Sequence, residues 1–210
     1  MHVLYYAPGA ASFLVHWLLI ELEVPHELRL VDTAAKEQKA PAYLALNPNG
    51  VVPTLVIDGE PRYEAAALAM LLAERHPRAA LAPAIDAPAR ADYVQWMFNL
   101  ANMVQPLFRQ WWYPGEPAGE DNAEALRAHC APRIEAQWQR IDAHLAANGP
   151  YLLGENISVA DFYLVMLMRW SRNMPKPATG WPHLAALAKT LKARPSFARL
   201  YAQEGLEEWA

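Results

Sequence analysis

Residues 46–69, LNPNGVVPTLVIDGEPRYEAAALA, restrict the fold of this chain more than any other stretch. Asn47-Pro48-Asn49-Gly50 is a turn cluster in which each residue type bends the backbone for a different reason. The run from Val51 to Ile57 is β-branched and apolar, yet it carries Pro53 near its start. Proline has no amide donor, so a central strand position would leave a rung of the ladder unmade. Two arrangements answer this. Pro53 can sit at the edge of a plain hairpin, or the Val52–Pro53 bond can be cis and leave the neighbouring backbone open to a second peptide. Asp58-Gly59 is a hairpin turn signal, Arg62-Tyr63 a short return strand, and Glu64 opens an alanine-rich helix. Open backbone followed by a helix N-terminus suits a small peptide that carries a carboxylate.

The flanking chain supplies partners for this hairpin. His2 to Tyr6 reads as a buried strand, residues 10–23 as a helix apolar on most sides, and 26–31 as a second strand. Residues 36–46 read as a helix interrupted by Pro41, and 65–75 as the helix after Glu64. Strand, helix and strand should pair in parallel with a right-handed crossover, and the hairpin then adds an antiparallel edge. The first domain is therefore expected over residues 1–77, with a proline-containing linker at 78–86. Everything in 87–210 reads as helix: 87–112 with a kink at Pro106, 122–147, 158–170, 182–191 and 196–203. The fold class is α/β followed by all-α.

Composition narrows the function. A formal net charge of −4 gives no general attraction for nucleic acid, so an anionic ligand must be held by local donors. The single cysteine, Cys130, excludes a disulfide framework and a cysteine-based metal cluster, and a packed thiol is its expected role. No metal site is expected. The start of the chain lacks a basic leader, and the apolar run at 162–168 is too short to cross a membrane. These features fit a cytoplasmic protein.

One further element reports on folding. In residues 154–161, GENISVAD, Ser158 and Asp161 form a capping box with aspartate in place of glutamate, and Ile157 can act as the staple.

Four pieces now stand in order: Leu4-Tyr5-Tyr6-Ala7-Pro8-Gly9-Ala10-Ala11-Ser12, Asn47-Pro48-Asn49-Gly50-Val51-Val52-Pro53, Glu64 at a helix head, and the Gly154/Ser158/Asp161 capping motif. Together with the helical second half they resemble the glutathione transferase superfamily, most closely its bacterial beta-type members, over nearly the whole chain. The resemblance implies a thioredoxin-like N-terminal domain, an all-helical C-terminal domain, a cytoplasmic homodimer and a cis Pro53.

It also implies a site. Glutathione would be the co-substrate, with Val52 pairing its backbone, Glu64 accepting from the γ-glutamyl ammonium, and the amide of Ala65 meeting the γ-glutamyl carboxylate. Lys36 falls where relatives place a base near the glycine carboxylate. The thiol needs a donor that favours its ionised form. Beta-type members have a cysteine in the first turn; here Ala11 stands there, so Ser12 is the expected catalytic donor, with Tyr5 second. His16, one turn beyond Ser12, reads as a histidine with a satisfied bond. Ala65 lacks the hydroxyl common in relatives, and Gln105 lies in the region where beta-type members place a histidine. The acceptor pocket is expected to include Phe13, Met103, Gln105, Phe108 and Trp112, and to favour apolar electrophiles. The implied activity is conjugation of glutathione to such electrophiles. The alternatives are a ligand-binding dimer with little turnover and a glutathione-dependent peroxidase.

Overall fold

The computed structural model describes residues 1–209. By contacts the chain falls into two compact units, Met1–Ala82 with Lys192–Glu208, and Pro83–Leu191.

The first unit is built on a four-stranded sheet of order β2-β1-β3-β4. Its elements are β1 (His2–Tyr6), α1 (Ser12–Glu21), β2 (His26–Leu30), α2 (Pro41–Leu44), β3 (Thr54–Ile57), β4 (Glu60–Tyr63) and α3 (Ala65–Arg75). β1 and β2 are parallel, with Tyr6 opposite Leu30. β3 runs antiparallel to both β1 and β4. Residues 36–46, expected as one interrupted helix, are a 3₁₀ turn at Glu37–Lys39 followed by the four-residue α2. Pro41 takes the first helical position, where its missing N–H costs nothing, so it starts α2 instead of interrupting a longer helix.

Every residue of α1 from Ser12 to Ile20 is buried. A helix apolar on all sides needs neighbours on all sides. The sheet and α3 supply some of them, and α10 (Pro195–Glu204) supplies the rest. Phe197 and Tyr201 of α10 pack their rings against Phe13, and Ser196 accepts a hydrogen bond from the Trp17 indole at 2.9 Å. Arg194 and Ser196 also bind Glu21. The last helix, placed with the helical domain on sequence order, therefore belongs by packing to the sheet unit.

The second unit contains α4 (Arg90–Asn99), α5 (Gln105–Trp112), α6 (Gly115–Ala118), α7 (Ala123–Asn148), α8 (Val159–Trp170) and all but the last residue of α9 (Pro182–Lys192). In place of a simple kink at Pro106, α4 and α5 are joined by a π-helical turn over Leu100–Val104. Pro106 cannot donate to the preceding turn, and the wider winding accommodates that loss. α8 is buried from Val159 to Arg169 and forms the centre of this unit. Its capping box is complete: Ser158 N–H donates to Asp161 at 2.8 Å, and Ser158 Oγ accepts from Ala160 N–H. Asp161 also receives the Leu152 amide at 2.8 Å, which ties the preceding loop to the cap. Burial raises the Asp161 carboxyl to about 6 despite these bonds. No helix among the described residues is long and apolar enough to cross a membrane.

Candidate active site

Strand register gathers the sequence motifs. Tyr5 lies opposite Thr54, and Thr54 lies opposite Tyr63. The turn after β1, the Val52-Pro53 entry to β3, and Glu64 after β4 therefore meet at one end of the sheet. Val31 joins that end through its N–H, which donates to Tyr6 C=O at 2.8 Å.

The loop before β3 is held from inside. Asn47 is fully buried; its Nδ2 donates to Val51 C=O at 2.7 Å, and its Oδ1 accepts from Asn49 N–H. Tyr43 Oη also donates to Val51 C=O at 2.8 Å. Gly50 makes the bend at φ 58°. The Val52–Pro53 bond is cis. Val52 N–H and C=O have no partner among the described residues. The loop thus fixes Val51 and leaves Val52 open, a geometry that accepts an extended peptide.

Glu64 adopts φ 73° and ψ 104°, sparsely populated for a residue with a side chain. It precedes α3 without capping it, and its carboxylate is exposed. Behind it, the Ala65 and Ala66 amides head an eleven-residue helix and offer an anion site. Ala65 is buried and brings no hydroxyl.

The turn between β1 and α1 is closed by Ser12. Its Oγ accepts from Ala7 N–H and donates to Ala7 C=O, both at 3.1 Å, and the side chain is fully buried. The hydroxyl proton expected to serve sulfur is thus engaged by the backbone. Ala11 precedes the helix with no side-chain cap, and the Ala11 and Ser12 amides have no partner among the described residues. Tyr5 Oη accepts from Arg29 at 3.2 Å, and its ring stands edge-on to Tyr43. Lys36 is exposed at φ 59° in the loop that follows Val31.

Of the residues expected around the acceptor, Phe13 and Phe108 are core. Phe13 is enclosed by Trp17, Phe197 and Tyr201, and Phe108 by Trp138 and Trp170. Both are 0 % exposed, so neither offers a ring face to a ligand. Gln105 accepts a hydrogen bond from Tyr163. Met103 is exposed within the π-turn. Trp112 donates to Trp170 C=O and lines an open cavity of about 300 Å³ with Tyr113, Glu116 and Arg127. Cys130 is buried on α7, and burial pushes its thiol up, away from nucleophilic use.

One residue escaped the sequence reading. Glu204, on α10, is buried; its Oε2 accepts from Gly9 N–H at 2.8 Å and its Oε1 meets His16 Nδ1 at 2.8 Å. The available signal was periodicity: position 204 continues the apolar stripe of Phe197, Leu200 and Tyr201. A carboxylate on such a face needs a partner.

The mixed sheet, with its open backbone and two helix N-termini at one end, followed by a helical unit, defines a thioredoxin-like domain and a helical domain. The chain belongs to the glutathione S-transferase family. Residues 11–75 match its N-terminal domain and residues 97–195 its C-terminal domain. The chain is 31% identical over 205 residues to glutathione S-transferase GST-4.5 of Xanthomonas campestris pv. campestris, covering 97% of this chain and 98% of that protein. Among solved structures, a Sulfitobacter glutathione transferase homolog with bound glutathione superposes with TM-score 0.89 at 28% identity, over 99% of both chains. A bacterial beta class glutathione S-transferase of Sphingomonas chungbukensis superposes with TM-score 0.84 at 27% identity, over 98% of this chain and 100% of that one.

Proposed function

We propose that this protein is a glutathione transferase that joins the glutathione sulfur to small apolar electrophiles. The observation that carries the reading is the backbone of Val52, unpaired among the described residues and set at the same sheet end as the α1 and α3 N-termini. Val52 would pair with the cysteinyl part of the peptide. Glu64 would accept from the γ-glutamyl ammonium, and the Ala65 and Ala66 amides would hold the γ-glutamyl carboxylate. Lys36 would stand near the glycine carboxylate.

The thiol must lose its proton to become the nucleophile, since its ordinary pKa is about 8.5. In this reading the α1 amides of Ala11 and Ser12 stabilise the thiolate, and Ser12 serves by fixing the turn that presents them. The proton passes to solvent. Sulfur then forms its bond to the electrophilic carbon, and the leaving group departs with its electron pair. Of the residues that the resemblance assigns to the acceptor, Met103 and Trp112 have exposed side chains.

We further propose a cytoplasmic homodimer. Phe98, 57% exposed on α4, is apolar surface suited to self-association. Light scattering on the purified chain tests the dimer.

A second reading, a binding protein with little turnover, is favoured by one observation: Ala11 and Ala65 bring no side-chain donor to the ligand. Immobilised glutathione and a chlorodinitrobenzene conjugation assay separate the two. Retention with turnover supports the transferase, and retention without turnover supports the binding protein. Neither retention nor turnover would remove both.

A further inference from the structure

We infer that a second cavity in the sheet unit binds a free α-amino acid with an apolar side chain. The cavity is open, measures about 590 Å³, and lies between the end of α1, the start of β2 and α10. His26 stands opposite His2 at one end of the parallel β1–β2 pair, whereas the open Val52 backbone lies toward the Tyr6 and Leu30 end. The cavity is therefore separate from the site proposed for glutathione. Leu19, Ile20 and Val24, all buried, give it apolar walls. Glu23, His26, Arg199 and Gln203 supply its polar groups.

The charges in this lining are unspent. Arg199 and Glu23 have opposite signs, and neither side chain has a hydrogen bond or ion pair among the described residues. Glu23 adopts φ 53° just past α1, where its N–H donates to Ile20 C=O at 3.1 Å and the Val24 N–H to Leu19 C=O at 2.9 Å. Glycine is the usual occupant of such a helix-ending bend, so the chain accepts backbone strain to hold a carboxylate there. Gln203 lies one turn beyond Arg199 on α10. Its Oε1 is engaged by His16 Nε2 at 2.8 Å, which leaves its NH2 as the open end. His26 Nδ1 donates to Val24 C=O at 2.7 Å, which leaves Nε2 as an acceptor on the neutral ring. Burial holds the His26 pKa below the ordinary histidine value despite the Val24 bond, so the ring is neutral at pH 7. Two donors, Arg199 and Gln203, thus suit a carboxylate, and two acceptors, Glu23 and His26, suit an ammonium. A plain carboxylate would set a like charge against Glu23, and a plain amine would do so against Arg199. An α-amino acid answers both charges, and its side chain meets the apolar walls.

The test is calorimetric titration of the full chain with L-phenylalanine and L-leucine at pH 7. Both should bind with a Kd of about 1 mM or tighter, and L-alanine at least about fivefold more weakly, because it buries less apolar surface. The analogues 3-phenylpropanoate and 2-phenylethylamine lack the ammonium and the carboxylate in turn. Each should bind at least about tenfold more weakly than L-phenylalanine, the scale of one charge-assisted hydrogen bond. Arg199→Met and Glu23→Gly should each weaken L-phenylalanine by about tenfold for the same reason. Glycine suits the positive φ, so Glu23→Gly keeps its fold, and thermal melting checks both variants. Saturating glutathione should leave the affinity within about twofold, as for sites that share no partner. No binding of either amino acid at about 10 mM would overturn the inference. So would an analogue that binds as tightly as L-phenylalanine, since a simple ion would then suffice. Unchanged affinity in both folded variants would overturn it too, and displacement by glutathione would move the amino acid to the other end of the sheet.

Discussion

Ser12 and Ala7 are bonded in both directions: the hydroxyl of one receives the amide and returns its proton to the carbonyl of the other, each at 3.1 Å. Ala7 C=O has a second donor in Ala10 N–H, whereas among the described residues Ala7 N–H has only Ser12 Oγ. Ser12→Ala should therefore orphan one buried amide and cost about 1–3 kcal/mol of stability. Conjugation should fall by about tenfold or less, through displacement of the turn. A fall of about a hundredfold or more at unchanged melting temperature would return the hydroxyl to the sulfur, since that is the scale for deleting a transition-state donor.

Glu64 combines an unusual backbone with an exposed carboxylate that has no partner among the described residues. Glu64→Ala should raise KM for glutathione by about tenfold or more, the scale of a charge-assisted hydrogen bond of about 1.5–3 kcal/mol. Glu64→Gly should lose the same affinity while leaving the fold as stable or up to about 2 kcal/mol more stable, because glycine tolerates the positive φ. Steady-state kinetics beside thermal melts check both. A Glu64→Gly variant that is much less stable would show that the carboxylate, and not the ligand, holds this backbone.

Gly50 has no room for a side chain. A Cβ there would lie 2.9 Å from Gln38 C=O and 3.0 Å from Leu44 Cδ2, at φ +58°. Gly50→Ala should cost about 1–3 kcal/mol from strain at this bend. The displacement must pass to Val51 and Val52, so weaker glutathione binding should accompany it. Calorimetric titration with glutathione on the folded variant provides the measurement.

Asp161 links stability to pH. Burial lifts its carboxyl from the ordinary carboxylate range to about 6. Between about pH 4 and pH 6 the native chain then holds a proton that the unfolded chain has released, so this group's contribution falls as pH rises through that window. Asp161→Asn offers one oxygen to two amides, Leu152 and Ser158, and should cost about 1–3 kcal/mol. The wild-type advantage over Asp161→Asn should be largest near pH 4 and shrink toward pH 6. Scanning calorimetry across that range measures it, and an advantage that grows with pH would contradict the assignment.

Much of the site was legible before any coordinates. The Asn47 to Pro53 loop, the hairpin at Asp58-Gly59, the helix opening at Glu64 and the Ser158/Asp161 cap all rest on interactions between residues a few positions apart. Turn chemistry, β-branching and capping act at that range, so the order of residues states them directly. Other features depend on which surfaces meet. Phe13 and Phe108 look alike as pocket aromatics and core aromatics until their neighbours are known. Ser12 could serve sulfur or the backbone, and the path of the turn commits its proton to Ala7. Glu204 and His16 are separated by 188 positions, and no local rule relates them. The sequence by itself determined the bends and the strands, and at Pro53 it left an edge proline and a cis bond as the two choices. Tertiary structure alone decided that α10 would close over α1 and bring a carboxylate to Gly9. The physical reason is that an apolar helix such as α1 demands cover on every side, and packing selects which distant segment provides it.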